Sequence, residues 1–243
     1  MQNLSQNLNN GKIPTGRWVV FFSGIICLLV PVFAEAHVVP YDLSKLSKTD
    51  IVFIYLKLGY THILPNGFDH ILFVLGLFLL NPRLKSVISQ ATAFTVAHSI
   101  TLGLAMRGII TPISSVVEPI IALSIVFVAI ENIYTSQLKP WRVVIVFMFG
   151  LMHGLGFASA LRELSLPKAD FFTSVIMFNI GVELGQITVI LAAYLLVGHW
   201  FKNKTWYRKR IVVPVSLIIA AIAFYWTIER VFDIDIMNKI AML

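Results

Sequence analysis

The sequence predicts an all-α integral membrane protein: a polytopic bundle of about six transmembrane helices behind a cleaved signal peptide. Three observations carry this reading. Hydrophobic residues make up 58% of the 243 positions and charged residues only 13%, about half the charged share of a soluble domain. The apolar residues fall into successive runs, each near the roughly 20 residues that a hydrocarbon core requires. The cations behind the net charge of +7 sit in short patches between those runs, where they act as topology signals. No nucleic-acid motif accompanies them, and contact with anionic lipid is the better use for such clusters.

Residues 1–36 read as the signal peptide. A polar start with Lys12 and Arg17 precedes the apolar run 18–33, and Ala34-Glu35-Ala36 supplies a small-residue cleavage site before His37. Cys27 would leave with that peptide, so the mature chain would offer neither disulfides nor thiolate ligands. Cleavage would make His37 the new N-terminus, pairing a free amine with an imidazole in a chelate for a borderline divalent metal. Residues 37–65 form an outer segment, whose mixture of Lys45, Lys48, Asp50 and Lys57 with Ile51, Phe53, Ile54 and Leu58 predicts an amphipathic helix on the membrane surface.

Residues 66–231 then carry the spans, at 66–80, 85–106, 113–134, 141–161, 171–199 and 211–231. Residues 232–243 are a short outer tail. The alternate connections hold Arg83 and Lys85, then Lys139 and Arg142, then Lys202, Lys204, Arg208, Lys209 and Arg210. The remaining connections are poorer, with Arg107 in one and Arg162 and Lys168 balanced by Glu163 and Asp170 in the other. The positive-inside rule therefore places both termini outside a bacterial inner membrane, in agreement with the signal peptide.

The organising stretch is Thr61 to His70, in which Pro65-Asn66-Gly67 stops one helix and aims Asp69 and His70 into the first turn of the next. His98, His153 and Asn179 lie at about one depth, roughly 12–14 Å below the outer end of their spans at 1.5 Å per residue. Glu118 lies about a turn above them, while Glu183 and Gln186 continue the face of Asn179 at helical spacing. Each alone has a plain reading as a helix-bridging or interface group. Three histidines and two glutamates at matching depth, joined by His62, suit Ni²⁺, Co²⁺ or Zn²⁺ in a site without thiolate. Gly150, Gly154 and Gly156 around His153, and Gly181 and Gly185 around Glu183, offer small-residue faces for close packing about such a pocket. At the inner end, Glu131 and Asn132 mark either an ion exit or a cap facing Lys139 and Arg142, with the exit favoured.

These residues resemble a known family, the HupE/UreJ hydrogenase and urease accessory membrane proteins. The likeness rests on His62…Asp69-His70, Phe94-Thr95-Val96-Ala97-His98-Ser99, Val117-Glu118-Pro119, Ala129-Ile130-Glu131-Asn132, Gly150-Leu151-Met152-His153-Gly154 and Phe178-Asn179-Ile180-Gly181-Val182-Glu183. It implies a polytopic protein that moves nickel, or cobalt, toward enzymes that need it. In that role His37 and His62 collect the ion, Asp69, His70, His98 and His153 take it up, and Glu118, Asn179, Glu183 and Gln186 complete a path of weak, exchangeable sites.

A second reading is an intramembrane zinc hydrolase acting on a lipid or lipidated substrate. His70, His98 and His153 would hold the ion and Asp69 or Glu183 would activate its water, with Ser99 as a hydrogen-bonding partner. The absence of a His-Glu-x-x-His motif in the sequence weighs against it. A metal-sensing or assembly subunit without turnover is a third reading. The sequence leaves open whether the bundle is a homo-oligomer.

Overall fold

The computed structural model describes residues 47–158 and 170–232. The signal peptide, its cleavage site, His37, residues 159–169 and the 233–243 tail lie outside the described residues, so the last three positions of the predicted 141–161 span do too. Every regular element among the described residues is helical. We number these α1 (Lys48–Ile63), α2 (Phe68–Leu80), α3 (Leu84–Met106), α4 (Ser114–Tyr134), α5 (Arg142–Gly156), α6 (Phe171–Ala193) and α7 (Val213–Phe232). α6 runs on through a wider π-type turn at Tyr194–Gly198 into His199–Phe201, and a similar turn at Arg208–Val212 leads into α7.

α1 begins at a capping box in which the Ser47 hydroxyl accepts from the Asp50 amide and the Asp50 carboxylate accepts from the Ser47 amide, both at 3.2 Å. The box satisfies amides that an opening helical turn leaves free. Its residues Ile51, Tyr55, Gly59 and Ile63 recur every fourth position and are buried, giving one continuous stripe. That stripe packs along α6, so a helix read as lying on the surface presents a specific face to the bundle. Gly59 and Gly181 make the fit: a Cβ on Gly59 would meet the Phe178 backbone at 2.7 Å, and one on Gly181 the Tyr60 amide nitrogen at 2.7 Å. Backbone cannot give way as a side-chain tip can, so the two helices come this close only where glycine stands.

After Ile63 the chain turns through Pro65-Asn66-Gly67, with α1 and α2 bent by 67°. α2 has only 13 residues, about 20 Å of helix, and is buried on every side. A helix apolar all round belongs at the centre of a bundle. It touches α3, α4, α6 and α7, while those helices expose Val96, Leu123, Ile180 and Phe224 outward as a bilayer-facing surface.

α3 pairs with α5, and α4 with α7. The first pairing is again set by glycine, since a Cβ on Gly150 would meet the Phe94 Cα at 3.0 Å and one on Gly154 the His98 Cα at 2.9 Å. Four helices are long and apolar enough to cross a membrane alone, and the bent α1–α2 pair makes a fifth when taken together. α5 ends after 15 residues, shorter than the predicted 141–161 span. The described residues thus give four or five spans where the sequence predicts about six.

Candidate metal centre

The histidines meet where α1 ends and α2 begins. The turn brings them together because the chain folds back on itself: the Gly67 amide donates to the Ile63 carbonyl at 3.1 Å and the Ile71 amide to the Gly67 carbonyl at 2.9 Å. A Cβ on Gly67 would run into the His62 backbone, whose carbonyl carbon lies 3.2 Å away. His62 on α1 and His70 on α2 consequently sit with ring centroids 4.7 Å apart. α3 adds His98, 6.1 Å from both. One nitrogen from each of His62, His70 and His98 lies within 4.8 Å of the others, against about 3.3 Å between ligands in a tetrahedral site with 2.0–2.1 Å bonds. His153 on α5 borders the group, its ring 4.9 Å from that of His70.

Hydrogen bonds decide which nitrogen of each ring keeps a lone pair. The Asp69 Oδ1 accepts from the His70 amide at 2.8 Å and lies 3.0 Å from His70 Nδ1. A carboxylate only accepts, so Nδ1 carries the proton and Nε2 the lone pair. Asn179 donates its Nδ2 to the Val175 carbonyl at 2.8 Å, which leaves Oδ1 facing His98 Nδ1 at 3.1 Å. His98 Nδ1 is thereby the donor and Nε2 is free. Ser124 gives its hydroxyl proton to the Ile121 carbonyl at 2.6 Å and lies 3.0 Å from His153 Nε2. His153 must then donate from Nε2, leaving Nδ1 free. The nitrogens so freed, together with His62 Nε2, are buried and have no hydrogen-bond partner among the described residues. An unpaired buried nitrogen is costly, and a cation would satisfy those that keep a lone pair.

Aromatic rings enclose this point. Phe157 lies 3.9 Å from the His62 ring and stacks on Phe178, while Phe94 and Phe73 lie 4.9 and 5.4 Å from His153. His98 and His153 are fully buried, and His62 alone of the four is part-exposed. Apolar walls of this kind raise the strength of any ion–ligand attraction inside.

A family model described as HupE / UreJ protein matches residues 26–230. The chain belongs to the HupE/UreJ family. No curated protein matches it, and no solved structure does.

In this HupE/UreJ protein the predicted residues divide sharply. The structure brings together His62, Asp69, His70, His98, His153 and Asn179. Glu118 stays outside: it is exposed, and its carbonyl accepts from Arg230 at 3.1 Å. Glu183 accepts from the Thr92 hydroxyl at 2.6 Å, and Gln186 from Thr95 at 3.1 Å, as rungs between α3 and α6; Glu183 Oε2 and Gln186 Nε2 are buried with no hydrogen-bond partner among the described residues. Glu131 and Asn132 are buried toward the far end of α4, with Arg142. The sequence reading assigns Arg142 to a basic connection; the structure buries it as the first residue of α5. Near the same end, burial pushes the ionisation of the Tyr207 hydroxyl up, and that hydroxyl donates to the Leu79 carbonyl at 3.2 Å.

Ser124, Phe157 and Phe178 are site residues that sequence reasoning passes over. A serine within an apolar helix usually bonds its own upstream carbonyl, and Ser124 does so while also accepting from His153. Its only sequence signal is a hydroxyl facing the level of the histidines.

Proposed function

We propose that this protein binds a divalent transition-metal ion at His62, His70 and His98 and carries it across the membrane, with nickel or cobalt as the ion. The observation that carries the reading is the grouping of His62, His70 and His98, one nitrogen of each within 4.8 Å of the others, in a pocket where each of these rings also keeps a buried nitrogen without a hydrogen-bond partner among the described residues. Neutral imidazoles without thiolate or a chelating carboxylate suit the late first-row ions Co²⁺, Ni²⁺ and Zn²⁺ and are poor ligands for Mg²⁺ or Ca²⁺. Membership of the HupE/UreJ family directs the choice within that set toward nickel or cobalt.

His153 is the next ligand in this scheme. Its free Nδ1 belongs to a ring 4.9 Å from His70, so an ion held by the first three histidines can exchange onto it. His62, part-exposed at the end of α1, receives the ion. His37, freed by signal cleavage, would collect it upstream. Asp69 and Asn179 serve as orienting partners whose bonds hold the imidazoles in the ligating tautomer. The zinc-hydrolase alternative needs a carboxylate to activate water; Asp69 Oδ1 is held by His70, while Glu183 bonds Thr92 through one oxygen and keeps its Oε2 without a hydrogen-bond partner among the described residues.

The test is uptake of Ni²⁺, Co²⁺ and Zn²⁺ into sealed proteoliposomes by the wild type, His70→Ala and His98→Ala, with bound metal assayed on the same protein. Saturable uptake of nickel or cobalt, abolished by both substitutions, is the expected result. Tightly bound zinc lost in both variants, with no uptake of any ion, would overturn transport and favour the hydrolase.

A further inference from the structure

The far end of the bundle holds a second buried polar cluster that the histidine site does not use. Arg142 is 1% exposed, although a cation at the first residue of a helix beside a basic connection would ordinarily reach water or headgroups. Its Nε lies 3.3 Å from Glu131 Oε2. Its Nη2 donates to Asn132 Oδ1 at 3.3 Å and to the Gly76 carbonyl at 3.4 Å. Asn132 in turn donates to Gly76 at 2.8 Å and to the Ser216 hydroxyl at 3.4 Å. One cluster therefore ties α2, α4, α5 and α7 at a single level. Arg208 closes the same end by donating to the Ile133 and Thr135 carbonyls at 2.8 and 2.7 Å.

The cluster lies on the central helix, about 9 Å along α2 from His70 at 1.5 Å per residue. Between the two levels stand Phe73, Val128 and Val146, all buried. An ion leaving the histidines through the centre of the bundle meets a dry layer and then a fixed guanidinium. A permanent positive charge at a constriction is an electrostatic barrier to cations. The pairing is also loosely made: Arg142 Nη1 and the Glu131 carboxylate oxygens have no hydrogen-bond partner among the described residues. A well-formed buried ion pair would place parallel N–H donors on both oxygens.

We propose that Glu131, Arg142 and Asn132 form a charge lock that closes this end of the ion path. The proposal rests on the transport reading and extends it: release requires Arg142 to part from Glu131, whose carboxylate then becomes the oxygen ligand on the exit side. In the resting bundle the same guanidinium keeps protons and monovalent cations from leaking through.

The experiment measures accessibility. Val128, one turn above the lock and 2% exposed, is changed to cysteine in a Cys27→Ser background. Its reaction with a cationic, membrane-impermeant thiol reagent is then followed in right-side-out and inverted vesicles. Val128→Cys should be unreactive from both sides with the lock intact. With Glu131→Gln and Arg142→Gln together, it should react at least tenfold faster from the exit side. Asn132→Ala keeps both charges but removes the bridge to Gly76, and should speed the reaction at least threefold if the paired change does not yield a monodisperse protein. An unchanged rate in a variant that still binds Co²⁺ at the histidines would overturn the lock and leave the cluster a structural staple. The thiol rates need no transported ion. Wild-type vesicles that take up no metal would overturn the permease reading alone, and the labelling would still decide the lock.

Discussion

A neutral imidazole has one lone pair, and at His70, His98 and His153 a neighbour's bonding fixes which nitrogen keeps it. Asn179 can only offer its oxygen to His98 because its amide group is committed to Val175. Asn179→Leu should therefore weaken metal binding by about 10–100-fold although no ligand is removed, as loss of an orienting partner does elsewhere. Equilibrium dialysis of the purified protein checks this, and an unchanged Kd would remove His98 from the ligand set. Ser124→Ala should have a smaller effect, through His153 only. The histidines and Asn179 were legible in the sequence because an ionisable or amide group inside an apolar run is costly unless it is used. Ser124 was not legible, since a helical serine satisfies itself locally. Arg142 was misread because charge beside a connection looks the same whether it points to solvent or folds inward.

At the scale of elements, glycines set which helices touch. Gly154 lets α5 rest on the backbone of α3 at His98, so Gly154→Ala should force the pair apart and lower stability by about 1–3 kcal/mol. The expected observation is a lower thermal unfolding midpoint, with weaker metal binding because His98 and His153 ride on those two helices. Gly67→Ala acts through the turn instead: the added methyl meets the His62 backbone and moves His62 away from His70. Metal binding should fall sharply while far-UV circular dichroism keeps its helical signal. Apolar runs located α3, α4, α6 and α7 to within a few residues, because length and hydropathy are local properties. They did not reveal that α1 docks on α6, since its stripe of Ile51, Tyr55, Gly59 and Ile63 resembles any amphipathic face until Gly181 is placed opposite it.

For the whole molecule, the basic connections predict an orientation that labelling can check. Asn203 and Ile109 are exposed in connections at opposite ends. Asn203→Cys should react with an impermeant reagent only in inverted vesicles, and Ile109→Cys only in right-side-out ones. The reverse pattern would turn the bundle over and make the Arg142 end the entrance. The all-helical membrane class was plain from composition; the number of spans was not. A run of apolar residues does not announce that α2 is a short central rod reaching only part of the way across.

His62 and His70 belong to different rods, joined at a 67° elbow. Opening or closing that elbow changes their separation, so it changes how many nitrogens an ion can hold at once. Joint angle and occupancy are then linked variables, and the linkage is reciprocal. An ion that binds both rods stiffens the elbow, and anything that stiffens the elbow near its bound angle tightens the ion by the same factor. For the proposed transport, capture and release would then be a question of leverage on Pro65-Asn66-Gly67 as well as of ligand chemistry.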